Sequence, residues 1–173
     1  RRGFAEVELA VRPDYRTALS PAPLRPRRQS PQADQAGLRL EEARLLREKV
    51  DARLKADPRA NLLVAGDLND TKDQPPIRAL IGRGATALVD ARPSERNGDT
   101  GFTPNPRWQP RTIAWTHYYG VEDSYGRIDY FLVSPGLEKE WVREETYVHT
   151  VADWGLASDH RPLVITFHVG DRR

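Results

Sequence analysis

Residues 61–70 read NLLVAGDLND, and this stretch decides the fold. The apolar run at residues 62–65, which ends at a glycine, predicts a buried strand. Side chains alternate along an extended segment, so Asp67 and Asn69 point the same way and Leu68 points to the opposite side. A carboxylate can accept a proton or hold a metal ion, and a carboxamide can donate to a phosphate oxygen or fix a water molecule. The alternative is a turn in which these polar residues only form the bend.

The length and composition predict one soluble, globular domain. Hydrophobic residues make up 38% of the 173 residues and charged residues 30%, which is too apolar for a disordered chain. No apolar run approaches the roughly 20 residues that a membrane-spanning helix needs. The chain has no cysteine, which excludes disulfides and thiolate metal sites. The formal net charge is only +2, so the charge as a whole indicates no attraction to nucleic acid.

The first residues of the chain suggest that it belongs to a longer protein. The sequence begins with Arg1 and Arg2 and contains no methionine, although translation starts with one. We therefore expect residues 1–173 to be a part of a larger chain. Any targeting segment would then lie upstream, and the sequence leaves the cellular compartment open.

Helices and loops are predicted most clearly in the first half of the chain. Alternating apolar residues at 5–11 predict a half-buried strand. Residues 13–31 hold five of the 14 prolines, and because proline cannot donate to a strand ladder we predict a loop or an edge here. Apolar residues at helical spacing predict a long helix at 38–56. Two prolines open a second, short helix at 75–81.

Strands dominate the second half and follow one another without helices between them. This order favours an antiparallel or mixed sheet over a repeated strand–helix–strand fold. A loop is predicted at 91–111, and strands are predicted at 86–89, 112–119, 126–133, 141–151 and 163–169.

Two further polar positions stand at the borders of apolar strands. Asp129 interrupts the apolar strand at 126–133, and a carboxylate is costly to bury there unless it is hydrogen-bonded to a donor or a cation. The sequence Ser158, Asp159 and His160 lies directly before the last strand. An imidazolium oriented by a carboxylate can bind or protonate a phosphate, and aspartates at strand edges suit Mg²⁺.

These three motifs together resemble the second half of the endonuclease/exonuclease/phosphatase superfamily, which includes DNases, apurinic endonucleases, inositol-polyphosphate phosphatases and sphingomyelinases. The motifs are GDLN at 66–69, RIDY at 127–130 and SDH at 158–160. The helix at 38–56 also fits the family's layout, so the resemblance covers nearly the whole chain. It implies a four-layer α/β sandwich of two packed mixed sheets between helices. Residues 1–173 would be the C-terminal portion of that domain, with the N-terminal half absent.

The resemblance also implies a chemistry, namely Mg²⁺-dependent hydrolysis of a phosphoester by in-line attack of water, with Mn²⁺ as a possible substitute. Asp67 would align or deprotonate the water, and Asn69 would bind the scissile phosphate or that water. His160 would contact the phosphate, and Asp129 would orient His160. Asp159 would contribute to metal binding together with Asp67. We therefore expect the catalytic side chains to lie in one cleft. The substrate could be a nucleic acid, an inositol phosphate or a phospholipid head group, because loops set it.

The chain departs from the family pattern in two places. The family carries an Asn and a Glu in its first half that complete the metal site, and no segment here supplies them. Pro23 stands where the family commonly has a histidine before the long helix. The alternative to an enzyme is therefore an incomplete relic that binds phosphate-bearing ligands or partner chains. Since the absent half would cover one sheet, we also expect residues 1–173 alone to be marginally stable and inactive.

The remaining histidines fit structural roles better than catalytic ones. His149 and His168 read as structural or solvated residues in terminal strand segments. His117 lies in an aromatic stretch that, together with residues 107–111, could stack on nucleobases, but aromatic residues in a strand favour the core. Asp90 reads as a loop carboxylate.

Overall fold

The computed structural model describes residues 4–26, 35–96 and 113–169, which form three helices and ten strands. The helices are α1 (Gln35–Ala56), α2 (Pro75–Ile81) and α3 (Pro135–Glu138). The strands are β1 (Val7–Arg12), β2 (Tyr15–Pro21), β3 (Leu62–Asp67), β4 (Val89–Asp90), β5 (Ser94–Glu95), β6 (His117–Tyr119), β7 (Ser124–Gly126), β8 (Asp129–Val133), β9 (Trp141–Val148) and β10 (Leu163–Phe167).

A five-stranded mixed sheet in the order β1-β2-β3-β8-β4 forms the centre of the described structure. Strands β2 and β3 run parallel, and the other neighbours in this sheet are antiparallel. A second sheet has the order β10-β9-β5, and β6 and β7 form a separate hairpin. This arrangement of packed mixed sheets and helices confirms the α/β class predicted from the sequence.

The main core lies between α1 and the five-stranded sheet. It forms because alternate side chains of β3 and β8 meet the apolar stripe of α1, as the helical spacing at 38–56 predicts. Helix α2 closes one end of this core with Ile77 and Leu80, both fully buried. The largest core side chains of the sheet and of α1 are Leu46, Val50, Leu54, Leu62, Val64, Tyr130 and Leu132. In the part of the chain that the structure describes, no helix is long and apolar enough to cross a membrane.

The opposite face of the same sheet is covered only in part. Val7, Leu19, Leu63 and Val133 lie in one cross-strand row. Val133 is fully buried beneath the second sheet, whereas Val7 is 44% exposed. Every residue of β1 is exposed, so the half-burial predicted for 5–11 is wrong, because the second sheet does not extend over this edge of the described structure.

The prediction of a loop or an edge for residues 13–31 is wrong where β2 forms an interior strand. The N–H groups of Ala22 and Leu24 donate to carbonyl oxygens of the β3 segment over 2.9 and 3.0 Å. Pro21 and Pro23 alternate with them, so their nitrogens face away from β3. On the other side, β1 begins at Val7, which pairs with Leu19. No residue of β1 therefore lies opposite Pro21 and needs a backbone N–H from it. Proline is tolerated at such positions because no neighbouring strand needs a hydrogen bond from a backbone N–H there.

Several strand bounds differ from the prediction. The strand predicted at 126–133 is two strands, β7 and β8, which pair with different partners. A short 3₁₀ turn, Gly84–Thr86, replaces the start of the strand predicted at 86–89, and β4 follows it. The loop predicted at 91–111 contains β5, and its residues 97–111 lie outside the described ranges. Among the described residues of the strand predicted at 112–119, which begin at 113, only β6 forms. The strands predicted at 141–151 and 163–169 end earlier, at Val148 and Phe167.

Candidate functional site

The end of β3 is shaped by Gly66, which allows the neighbouring strand to approach closely. The backbone of Gly66 has a φ of +146°, which side-chain-bearing residues rarely adopt. A Cβ at this position would lie 3.3 Å from the backbone of Ala22. Glycine is therefore required here, and the β2 segment is held against β3 up to the residues that follow the strand.

The side chains of Asp67 and Asn69 are hydrogen-bonded to each other, but a turn brings them together and not the alternation of an extended segment. The Asn69 backbone N–H donates to Asp67 Oδ1 over 2.8 Å, and the Asn69 amide Nδ2 donates to Asp67 Oδ2 over 2.8 Å. Nδ2 also donates to the carbonyl oxygen of Leu24 over 3.0 Å. Asn69 has a φ of +53°, a left-handed conformation that asparagine tolerates better than most residues. The turn thus fixes a carboxylate and a carboxamide side by side.

The other side of the same turn faces the core. Leu68 is fully buried, and the carboxylate of Asp70 is paired with Arg39 of α1 over 3.1 Å. The Tyr130 hydroxyl donates to the Asp70 carbonyl oxygen over 2.9 Å. These contacts anchor the turn to both the helix and β8.

Strand β8 places Asp129 directly opposite Asp67 in the antiparallel register. The hydroxyl oxygen of Thr116 accepts from the backbone N–H groups of Ile128 and Asp129 over 3.1 Å each, which fixes the break between β7 and β8. Asp129 Oδ2 lies 2.9 Å from His160 Nδ1, and Asp67 Oδ2 lies 4.0 Å from His160 Nε2. The four side chains predicted to converge, including Asn69, therefore do lie together.

Two pKa values of the site lie above their usual range, for different reasons. Burial raises the pKa of Asp67, the charge of Asp129 raises it further, and the hydrogen bond from the Asn69 N–H opposes both. For His160, burial lowers the pKa, but the hydrogen bond and charge of Asp129 outweigh it and raise the pKa above its usual value. The site therefore favours an imidazolium beside a carboxyl group that holds its proton more readily than usual.

Asp159 and His117 lie beside this group, on the solvent side. Asp159 is 68% exposed, and its Oδ2 lies 3.4 Å from His117 Nε2. The rings of His117 and His160 lie 4.6 Å apart between centroids. The prediction that His117 belongs to the core is wrong, because β6 places its ring at the site. The sequence carried no signal for this, since the contact depends on pairing between residues more than 40 positions apart.

Other polar residues singled out in the sequence lie elsewhere. Asp90 is not a loop carboxylate but a residue of β4, and both its oxygens accept from Arg127, over 2.9 and 2.6 Å. His149 and His168 are exposed at or just beyond strand ends, in agreement with their solvated interpretation. Pro23 is exposed and carries no group that could act in the site. Residues 107–111 lie outside the described ranges.

Two overlapping sets of side chains could hold a cation. One consists of Asp67, Asp129 and His160, and the other of His117, Asp159 and His160. Within each set the potential ligand atoms all lie within 4.8 Å of one another. The described residues thus offer carboxylate oxygens and imidazole nitrogens around one imidazole, that of His160.

Comparison with known proteins identifies the family. The sequence pattern of the Endonuclease/Exonuclease/phosphatase family matches residues 3–160, which is most of the chain. The chain belongs to this family. No curated protein is similar enough in sequence to be matched.

Two solved structures have a similar fold. The chain is similar to sphingomyelinase C from Streptomyces griseocarneus, with 20% identity, a TM-score of 0.52, and coverage of 94% of this chain and 53% of that one. It is also similar to beta toxin from Staphylococcus aureus, with 15% identity, a TM-score of 0.61, and coverage of 95% and 57%. At such identities the likeness concerns the fold alone. The chain spans little more than half the length of either structure.

Proposed function

We propose that the protein that carries this chain hydrolyses phosphoester bonds with the help of a divalent cation, by in-line attack of water on phosphorus. The observation that carries the proposal is the row formed by Asp67, His160 and Asp129, with separations of 4.0 and 2.9 Å. A carboxylate, an oriented imidazole and a second carboxylate meet at one end of a sheet, where open α/β folds bind ligands.

Asp67 is the proposed general base or water-aligning residue. Its carboxyl group is about 30% exposed, so a water molecule can reach it. Burial and the charge of Asp129 raise its pKa, which makes the carboxylate a stronger base than a solvated aspartate. Asn69 is the proposed binding group for the attacking water or a phosphate oxygen, since the turn holds its amide beside Asp67.

His160 is the proposed binding group for the phosphate. The hydrogen bond from Nδ1 to Asp129 fixes the orientation of the ring and leaves Nε2 directed toward the Asp67 side of the site. The charge of Asp129 keeps the imidazole protonated to higher pH, because it raises the pKa of His160 against the effect of burial. An imidazolium in this position would stabilise the negative charge that grows on phosphate oxygens during attack.

The oxygen ligands suit Mg²⁺ or Mn²⁺. Hard cations of this kind prefer carboxylate oxygens and retain water molecules, and Asp67 and Asp159 are the carboxylates proposed to hold the ion. When bound, such an ion would neutralise charge on the phosphate. Because the chain spans about half the length of similar structures, the family's remaining Asn and Glu ligands are proposed to lie in another part of the protein. Residues 1–173 alone are accordingly proposed to be inactive.

The test is hydrolysis by the whole protein of a generic phosphodiester and a generic phosphomonoester, with Mg²⁺, with Mn²⁺ and with a chelator. Asp67→Asn and His160→Gln should each lower kcat/KM by about 100- to 10,000-fold, the usual contribution of an acid or base. Asp14→Asn, in the exposed β1–β2 turn, is the matched control and should stay within about two-fold of the wild type.

The same assay decides between an enzyme and a relic. Hydrolysis that survives Asp67→Asn would contradict the assigned role, and phosphate binding without any hydrolysis would favour the relic. A panel of an oligonucleotide, an inositol polyphosphate and phospholipid vesicles would then identify the substrate class, which the described residues leave open.

A further inference from the structure

His117 is brought to His160 by backbone pairing rather than by sequence proximity. The two residues form an isolated antiparallel bridge. On either side of it, Tyr118 N–H donates to the Asp159 carbonyl oxygen over 3.0 Å, and Arg161 N–H donates to the Thr116 carbonyl oxygen over 2.7 Å. Three consecutive residues of the segment before β10 are therefore tied to the strand that carries His117. The side-by-side placement of the two imidazoles is thus built into the backbone.

The potential ligand atoms are spaced as a small cation requires. His117 Nε2 and Asp159 Oδ2 are 3.4 Å apart, which is longer than a typical hydrogen bond between these groups. A tetrahedral ion with bonds of about 2.0–2.1 Å separates its ligand atoms by about 3.3 Å. The ligand atoms of His117, Asp159 and His160 all lie within 4.8 Å of one another, so small side-chain rotations bring the third atom to that separation.

The supporting residue of a histidine metal ligand is also present. In metal sites a ligating histidine almost always donates its second ring N–H to a carboxylate or a carbonyl oxygen, which fixes the ring. Asp129 Oδ2 lies 2.9 Å from His160 Nδ1, and the Asp129 side chain is only 17% exposed. This contact leaves Nε2 of His160 as the nitrogen that can bind a cation.

We propose that His117, Asp159 and His160 form a binding site for a divalent transition metal of the Zn²⁺ or Co²⁺ type. Two imidazoles and one carboxylate suit such ions, whereas Mg²⁺ prefers oxygen ligands only. Three protein ligands leave a further position open to water or a phosphate oxygen. The inference rests on the proposed function but changes one role in it, since His160 would bind the cation through Nε2 as a neutral imidazole instead of meeting the phosphate as an imidazolium. Its test uses binding, so its failure is separate from a failure of the hydrolysis assay.

The experiment titrates the purified whole protein with Co²⁺ and follows the visible absorption of the bound ion. The wild type should bind Co²⁺ and lose the absorption when Zn²⁺ is added, while Mg²⁺ at the same concentration should leave it unchanged, because Mg²⁺ disfavours imidazole ligands. His117→Gln should weaken Co²⁺ binding by at least about 10-fold, since even the loss of a residue that only supports a ligand lowers metal affinity about 10- to 100-fold. His168→Gln is the matched control at an exposed histidine and should stay within about two-fold.

A second measurement keeps the test decisive if His117→Gln does not fold, which its thermal melt would reveal. Imidazole NMR signals of the wild type should shift on addition of Zn²⁺ at His117 and His160 together. Unchanged Co²⁺ affinity in a folded His117→Gln protein would overturn the proposal. Zn²⁺-induced shifts at His160 without His117, or equal losses of affinity in His168→Gln, would overturn it as well.

Discussion

The two sides of the turn that follows β3 carry carboxylates of opposite character. Asp70 faces the core, where its side chain is 5% exposed and paired with Arg39, itself 6% exposed. Asp67, three residues earlier, faces the site with 30% of its side chain exposed, next to His160 at 4.0 Å. On the core side the carboxylate is buried in an ion pair, and on the site side the carboxylate is accessible to solvent. One four-residue turn thus separates the group that holds the structure from the group proposed to act on a substrate.

The difference between the two sides is electrostatic. A buried carboxylate is tolerated only when a cation and hydrogen bonds replace the water it has lost, and Asp70 has a guanidinium and the Thr71 N–H. Asp67 is partly desolvated and lies opposite a second carboxylate, Asp129, so its charged form is less favoured and its pKa rises. Ionisable groups with shifted pKa values are concentrated at binding and catalytic sites.

The largest expected effect comes from breaking the core side. Arg39→Met would leave the buried carboxylate of Asp70 without its guanidinium, and we expect the free energy of unfolding to fall by about 3–5 kcal/mol. Chemical denaturation followed by circular dichroism measures this change. Arg44→Met on the exposed side of the same helix is the control and should change it by less than about 0.5 kcal/mol. Equal changes in both variants would show that the ion pair does not anchor the turn.

A smaller, pH-dependent effect is expected between the two sides, at Asp129. Asp129→Asn should lower the pKa of His160, because the nearby negative charge is what raises it against burial. A raised folded-state pKa stabilises the fold fully below the ordinary pKa of about 6.5, and this contribution is lost as the pH rises through the folded-state pKa. The variant should therefore lose about 1 kcal/mol of stability below about pH 6 and little at high pH.

An NMR titration of His160 in a chelator-treated sample measures the shift directly. Asp14→Asn serves as the control, since its residue lies in the exposed turn between β1 and β2. The same His160 midpoint in the wild type and in Asp129→Asn would reject the pairing.

The site side of the turn was predictable because its information is local. The apolar run at 62–65 predicts a strand, and the glycine and polar residues at 66–69 that follow it mark its end. The opposition of Asp67 and Asp129 was accessible only through the resemblance to a family, since it depends on the register between β3 and β8. The helix α1 was equally accessible, because its apolar spacing is a property of one segment.

The failures share a cause, which is dependence on distant partners. The proline count of residues 13–31 argued against an interior strand, yet Pro21 and Pro23 occupy the alternate positions that face away from β3. The exposure of β1 follows from how far the second sheet extends, which no local pattern encodes. His117 enters the site through its bridge to His160, and the arrangement of Arg127 with Asp90 arises from the pairing of β4 and β8.

The smallest effect should have the opposite sign and come from Asp67. Its carboxylate is partly buried and lies opposite Asp129, so burial and that charge raise its pKa. A carboxyl group with a raised folded-state pKa favours the fold when it is protonated, and this advantage is lost as the pH rises through that pKa. Asp67→Asn removes the charge and keeps one oxygen that can accept from the Asn69 N–H, although the hydrogen bond from Asn69 Nδ2 is lost. We therefore expect the free energy of unfolding to rise by about 0.5 kcal/mol at pH 7, as is common when a functional group is neutralised, and the gain to vanish near pH 3.

Parallel denaturation of wild type, Asp67→Asn and Asp14→Asn at both pH values tests this. A loss of stability at pH 7 as large as that of Arg39→Met would mean that the two sides of the turn do not differ in role.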